Sequence, residues 1–155
     1  MSLFTFGYEG LSIETFIARL KAAGVKVVID VRELPLSRKK GFSKTSFCAA
    51  LDAHGIAYAH LPAFGCPRPI RDRYKNDGDW SRYEKAFTAY LSTLDVAIAE
   101  LARFSDQVNA CLVCYEADFN FCHRSLVAQA VSDASGAKIV HLTATKADSI
   151  PLIAA

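Results

Sequence analysis

Val25-Lys26-Val27-Val28-Ile29-Asp30-Val31 decides the fold class. Five of its seven residues are β-branched and apolar, and they fall on both sides of the two-residue alternation. A strand of that kind is covered on both faces, which is the signature of a parallel sheet. Working back from it, Gly24 ends a helix whose apolar positions Ile13, Phe16, Ile17 and Leu20 share one face, with Ser12 as its cap. Before that helix, residues 3–6 form a short apolar strand closed by Gly7 and Gly10. The chain therefore opens as strand, helix, strand.

Working forward, Ser43 caps a second predicted helix carrying Phe47 and Leu51, Gly55 stops it, and residues 56–61 supply a third strand. Residues 61–79 hold three prolines, two glycines and many charges without clear periodicity, so a long functional loop or lid is predicted there. From Trp80 to about Phe104, Tyr83, Phe87, Leu91, Leu94, Ile98 and Leu101 keep helical spacing, predicting one long helix. Residues 110–115 read as a fourth strand, 125–134 as a helix stopped by Gly136, and 138–142 as a fifth strand. This alternation predicts an α/β fold: three layers, a mainly parallel sheet of about five strands, helices on both faces and right-handed crossovers, in a single domain over 1–155.

With 155 residues, 52% hydrophobic and 22% charged, the chain can bury a full core, and no apolar run approaches the roughly 18 residues that span a bilayer. No membrane partner is expected. The first six residues carry no basic leader, and five cysteines without framework spacing suit a reducing compartment, so a soluble, cytoplasmic protein is expected. A net charge of +2 does not by itself demand nucleic acid. Two local basic clusters stand out: Arg32, Arg38, Lys39, Lys40 and Lys44, and then Arg68, Arg71, Arg73 and Lys75.

In such a fold ligands bind beyond the carboxyl ends of the strands. Polar and charged residues recur at four strand exits: Tyr8 and Glu9, Asp30 and Arg32, His60, and the run from Glu116 to Arg124. At the fourth exit, Cys122-His123-Arg124-Ser125 stands where a helix begins, and the free N–H groups and helix dipole there favour an anion. Arg32, Arg38, Arg124 and Ser125 form the expected anion-binding set, two guanidinium groups suiting a phosphate or carboxylate. The other reading pairs Arg32 or Arg124 with Glu116, Asp30 or Glu33 as plain ion pairs.

Glu116 and His123 are the candidate proton-transfer groups and Glu9 is a further candidate acid or base, although Glu116 or Glu9 could equally orient an arginine. Cys122 is the better thiol candidate, because a helix start with His123 and Arg124 beside it lowers a thiol pKa; Cys114, inside an apolar strand, reads as a small buried hydrophobe. Tyr8 and Tyr115 could stack on a base or sugar. No closed zinc spacing, phosphate-binding glycine loop or dinucleotide fingerprint is present, so no metal is assigned, nicotinamide cofactors are not indicated and the cofactor is otherwise unknown.

Taken together, Gly7-Tyr8-Glu9-Gly10, Asp30-Val31-Arg32 with Pro35 and Arg38, His60-Leu61-Pro62, and Cys114 through Cys122-His123-Arg124 resemble the domain of unknown function 488 family over nearly the whole chain. The segment after His60-Leu61-Pro62 is similar to the family's glycine-containing stretch with Cys66 added. The resemblance implies the fold and a site that includes Cys114, Glu116, Cys122, His123 and Arg124, and it implies no reaction. Three functional readings stand: an enzyme acting on a phosphate-bearing small molecule, nucleotide or nucleic acid; a non-catalytic module binding the same ligands through residues 68–75; and a thiol-dependent enzyme or redox sensor using Cys122.

Overall fold

The computed structural model describes residues 2–144; Met1 and residues 145–155, the two ends of the domain expected over 1–155, lie outside the described residues. Strands β1 (Ser2–Gly7), β2 (Val27–Asp30), β3 (Ala57–His60), β4 (Ala110–Cys114) and β5 (Lys138–His141) make one all-parallel sheet in the order β3-β2-β4-β1-β5. The helices are α1 (Ile13–Ala22), α2 (Lys44–Asp52), α3 (Arg68–Asp77), α4 (Trp80–Leu91), α5 (Asp95–Ser105) and α6 (His123–Ser135). The predicted three-layer α/β architecture is the one that forms.

The layers follow from strand alternation. Phe4, Phe6, Val28, Cys111 and Val113 point to one face, where they pack with Phe16 and Leu20 of α1 and Phe47 and Leu51 of α2. Leu3, Val27, Ile29, Ala110 and Leu112 point to the other, against Tyr83, Phe87, Leu101, Val127 and Val131 of α4, α5 and α6. The connections from β1 to β3 run one way across the sheet and the later ones run back, so right-handed crossovers place their helices on opposite faces. β4 fills the centre, pairing with β1 and β2, with Gly7 opposite Cys114 and Asp30 opposite Val113.

Four local expectations change. Residues 61–79 are not an irregular loop: they hold a 3₁₀ turn (Pro62–Phe64) and α3. Proline suits a helix start, where its missing N–H has no partner to lose, and Pro67 and Pro69 occupy that start. Only Ile70 and Tyr74 of α3 pack against the core, an apolar stripe too thin to show as periodicity. The long helix predicted over 80–104 is two helices, broken after Leu91. Ser92 and Thr93 hydroxyls donate to the carbonyls of Ala89 (2.6 Å) and Tyr90 (2.7 Å), local bonds that compete with helix continuation. Helix α6 begins at His123 rather than Ser125, because Cys122 serves as its cap. Ser12 does cap α1, accepting from the Thr15 N–H at 3.2 Å, whereas the Ser43 hydroxyl bonds Ser37 instead of its own helix.

Candidate functional site

The carboxyl ends of β1, β2 and β4 lie side by side, and a cleft of about 470 Å³ opens beyond them. That volume suits a small-molecule ligand. Tyr8, Arg32, Cys114, Glu116, Cys122 and His123 all line it, so three of the four strand exits singled out in the sequence do converge.

Close approach begins at Gly7. A side chain there would overlap the Glu116 carbonyl and come within 2.9 Å of Arg124 Nη1, so only glycine lets the chain leaving β4 cross the end of β1. Glu9 fastens the same crossing, its Oε1 accepting the Ala117 N–H at 3.0 Å. Residues 116–122 then return through a 3₁₀ turn (Phe119–Phe121) to the start of α6. This loop brings the sulfurs of Cys114 and Cys122 into contact, with Cα atoms 7.9 Å apart. Disulfides normally span about 4.4–6.8 Å between Cα atoms, so the backbone holds this pair wider than a structural crosslink does. Cys122 Sγ also faces Glu116 Oε2 at 3.4 Å. One ligand atom each from Cys114, Glu116 and Cys122 lie within 4.8 Å of one another, a grouping that the spacing along the chain did not suggest.

Arg124 lies beneath this cluster, fully buried. Its Nη1 donates to Cys114 Sγ at 3.1 Å and to the Glu116 carbonyl, and Nη2 donates to the Ala117 carbonyl at 3.4 Å. Its Nε has no partner among the described residues. A buried guanidinium held by carbonyls and a sulfur lacks a full counter-charge, and burial pulls its pKa down to about 10. His123 is buried as well, its Nε2 2.8 Å from the Val31 carbonyl and its Nδ1 3.9 Å from Cys122 Sγ. A carbonyl accepts only from an N–H, so Nε2 carries the proton and Nδ1 turns a lone pair toward the thiol. Burial lowers the His123 pKa, with the Val31 carbonyl opposing; the neutral imidazole is the stable form.

Arg32 follows the ion-pair reading. Its Nε and Nη2 donate to the two oxygens of Asp30 at 2.9 and 2.7 Å, and Nη1 donates to the Tyr8 hydroxyl (3.1 Å) and the Phe42 carbonyl (2.6 Å). Tyr58 adds a hydrogen bond to Asp30 Oδ2 at 2.6 Å. Burial alone would lower the Arg32 pKa, but Asp30 and Tyr8 outweigh it and hold it above the ordinary value. The donors expected to meet a ligand are thus occupied within the protein. Of the other expected residues, Arg38 is exposed and does not line the cleft. The Ser125 hydroxyl donates to the Phe119 carbonyl and closes the loop. His60 bonds the Arg32 carbonyl at 2.8 Å and faces Lys44.

The remaining walls come from residues 61–79, read as a functional loop whose basic run 68–75 was the alternative binding surface, and from the start of the helix read as core. Helices α3 and α4 supply Arg71, Tyr74, Lys75 and Tyr83, and Cys66 precedes α3. Arg71 pairs with Glu33 at 3.4 Å, both side chains one-third exposed. Burial pushes the Cys66 thiol and the Tyr83 hydroxyl up. Leu34, Leu36, Tyr115 and Phe121 are exposed at the rim. The basic run over 68–75 was visible as charge; its placement on a helix over the strand ends was not.

The family model of the domain of unknown function DUF488 matches residues 12–131, and the chain belongs to that family. No curated protein and no solved structure matches the chain. No helix among the described residues is long and apolar enough to cross a membrane.

Proposed function

We propose that this member of the DUF488 family is a thiol-dependent enzyme whose reacting atom is Cys122 Sγ. The observation that carries the reading is the cluster beyond β4: two sulfurs in contact, a carboxylate at 3.4 Å, and an imidazole lone pair facing Cys122. A thiol at a helix N-terminus beside a base, with that base oriented by a third group, is the arrangement of nucleophilic catalysis. Here the orienting group is the Val31 carbonyl. Cys122 passes its proton to His123 Nδ1, and its sulfur forms a bond to an electrophilic centre of the substrate. The bond from that centre to its leaving group breaks, and the leaving group takes the proton from His123.

The cleft walls favour a substrate with a ring and an anionic group, such as a nucleotide. Tyr74, Tyr83 and Phe121 offer apolar faces, and Arg71 and Lys75 offer positive charge. Arg32 and Arg124, occupied inside the protein, orient the site rather than hold the anion.

The test uses Cys48, which is exposed, as an ordinary reference thiol in the same chain. Reduced protein in chelator is mixed with an aromatic disulfide reagent. Cys122 is expected to react about tenfold or more faster than Cys48, and Cys122→Ser to lose that fast phase. Adenosine monophosphate should slow it in wild type and less in Arg71→Ala. If Cys48 alone reacts in the native protein, the proposal fails.

A further inference from the structure

We infer that Cys114, Glu116 and Cys122 bind a thiophilic divalent cation, of which zinc is the best match, with a fourth position open to the cleft. The inference rests on the reading that Cys122 is a working group; in the cation-bound form its sulfur is already a thiolate, so the leaving group takes its proton from water rather than from His123.

Three observations point the same way. The first is the ligand set: two sulfurs and a carboxylate oxygen within 4.8 Å of one another, contributed by the end of β4, the following residues and the cap of α6. Zinc with arms of about 2.3 Å to sulfur holds neighbouring ligands roughly 3.8 Å apart and takes three protein ligands plus water at catalytic sites; Cys122 Sγ and Glu116 Oε2 stand near that spacing at 3.4 Å, while the two touching sulfurs must part to reach it. The second is the Cα separation of 7.9 Å, wider than a disulfide favours. A metal between the sulfurs replaces one sulfur–sulfur bond by two metal–sulfur bonds, a bridge one bond longer that suits that width.

The third is charge. Two thiolates and a carboxylate carry three negative charges, and a divalent cation with the buried Arg124 guanidinium carries three positive ones. The set is neutral only with both present; the two sulfurs and Arg124 are buried and need that compensation, whereas the Glu116 carboxylate is exposed. The Arg124 bond to Cys114 Sγ at 3.1 Å is the kind of outer hydrogen bond that orients a ligating sulfur. Binding releases two thiol protons to solvent and leaves Cys122 as a metal-bound thiolate. The Asp30–Arg32 pair stands apart from this set, its charges already matched.

Reduced, metal-free full-length protein is titrated with Co²⁺, which reports thiolate ligation by a near-ultraviolet charge-transfer band and tetrahedral geometry by visible bands. One equivalent is expected to produce both, and one equivalent of Zn²⁺ to abolish them. Cys114→Ser and Cys122→Ser should each lose the band while Cys48→Ser keeps it; Glu116→Gln should weaken binding and shift the visible bands. Wild-type protein that shows no charge-transfer band at stoichiometric Co²⁺ overturns the inference, whatever the variants do, and so does a band that survives both serine variants. The thiol reading is separable: fast Cys122 modification in chelator with no Co²⁺ band leaves a metal-free thiol enzyme, whereas a Co²⁺ band without fast modification removes the nucleophile and leaves the metal.

Discussion

Replacing Asp30 by alanine separates a structural Arg32 from one that binds ligands. Asp30 is fully buried, and Arg32 is 7% exposed. The carboxylate accepts from Arg32 Nε, Nη2 and its backbone N–H, and from the Tyr58 hydroxyl. Asp30→Ala leaves the guanidinium buried and unpaired, which costs about 3–5 kcal/mol. The half-buried Tyr58 hydroxyl loses its acceptor for about 1 kcal/mol more. The sum, about 4–6 kcal/mol, is a large part of the roughly 5–15 kcal/mol that holds a domain folded. In a chain of this size that lowers Tm by roughly 10–20 °C. Urea unfolding followed by circular dichroism measures it directly. Asp30→Ala/Arg32→Met removes the charge along with its partner and should be more stable than Asp30→Ala alone. Loss of under about 1 kcal/mol in the single variant, or a double variant no better than the single, would refute the reasoning. Inorganic phosphate binding should match between wild type and Arg32→Met; a loss confined to the variant returns Arg32 to the anion site.

Gly7→Ala drives a side chain into the Glu116 carbonyl, and overpacking of this kind costs about 1–3 kcal/mol. It should also slow the fast thiol phase, and a variant with wild-type Tm and thiol kinetics would show that the crossing adjusts freely. Phe42 is fully buried and stacks on Tyr8 with ring centroids 4.3 Å apart, so Phe42→Ala should cost about 3–5 kcal/mol in urea unfolding. Burial pulls the His141 pKa down to about 4, with Arg124 adding to the shift. The unfolded chain protonates this histidine near pH 6.5 and the folded one only near 4, so stability declines as pH falls through that window. His141→Gln should flatten the decline of Tm between those values, with His123 supplying what remains; an unchanged slope would count against the assignment.

The sheet was legible because its strands are short apolar β-branched runs bounded by glycines, and β2 alone fixes the parallel class. Helix α3 was hidden because Ile70 and Tyr74 are its only core contacts and prolines flank its start. The break after Leu91 was hidden for the opposite reason. Leu91, Leu94 and Ile98 keep helical spacing across it, so only the Ser92 and Thr93 side-chain bonds betray the stop. Three of the strand exits singled out in the sequence line one cleft, but what each charge does there depends on burial. Arginines are rarely buried, so the sequence left Arg32 and Arg124 open between an anion site and internal ion pairs, and the structure gives both internal partners. Cys114 is buried in its strand, as read from the sequence, and also lines the cleft. Its contact with Cys122 arises from the return of residues 116–122, which no local pattern encodes.

The position of β4 carries a consequence for how the protein is made. β1 and β2 do not pair with each other; each pairs with the central strand, which comes after more than a hundred residues of chain. During synthesis the amino-terminal half waits with two strands lacking their shared neighbour, and sheets closed by such distant pairings assemble slowly. Unpaired parallel edges are templates for association with other chains. A chain ended before residue 110 should therefore aggregate rather than persist as a half-domain, and the cysteine pair comes together only in the step that closes the sheet.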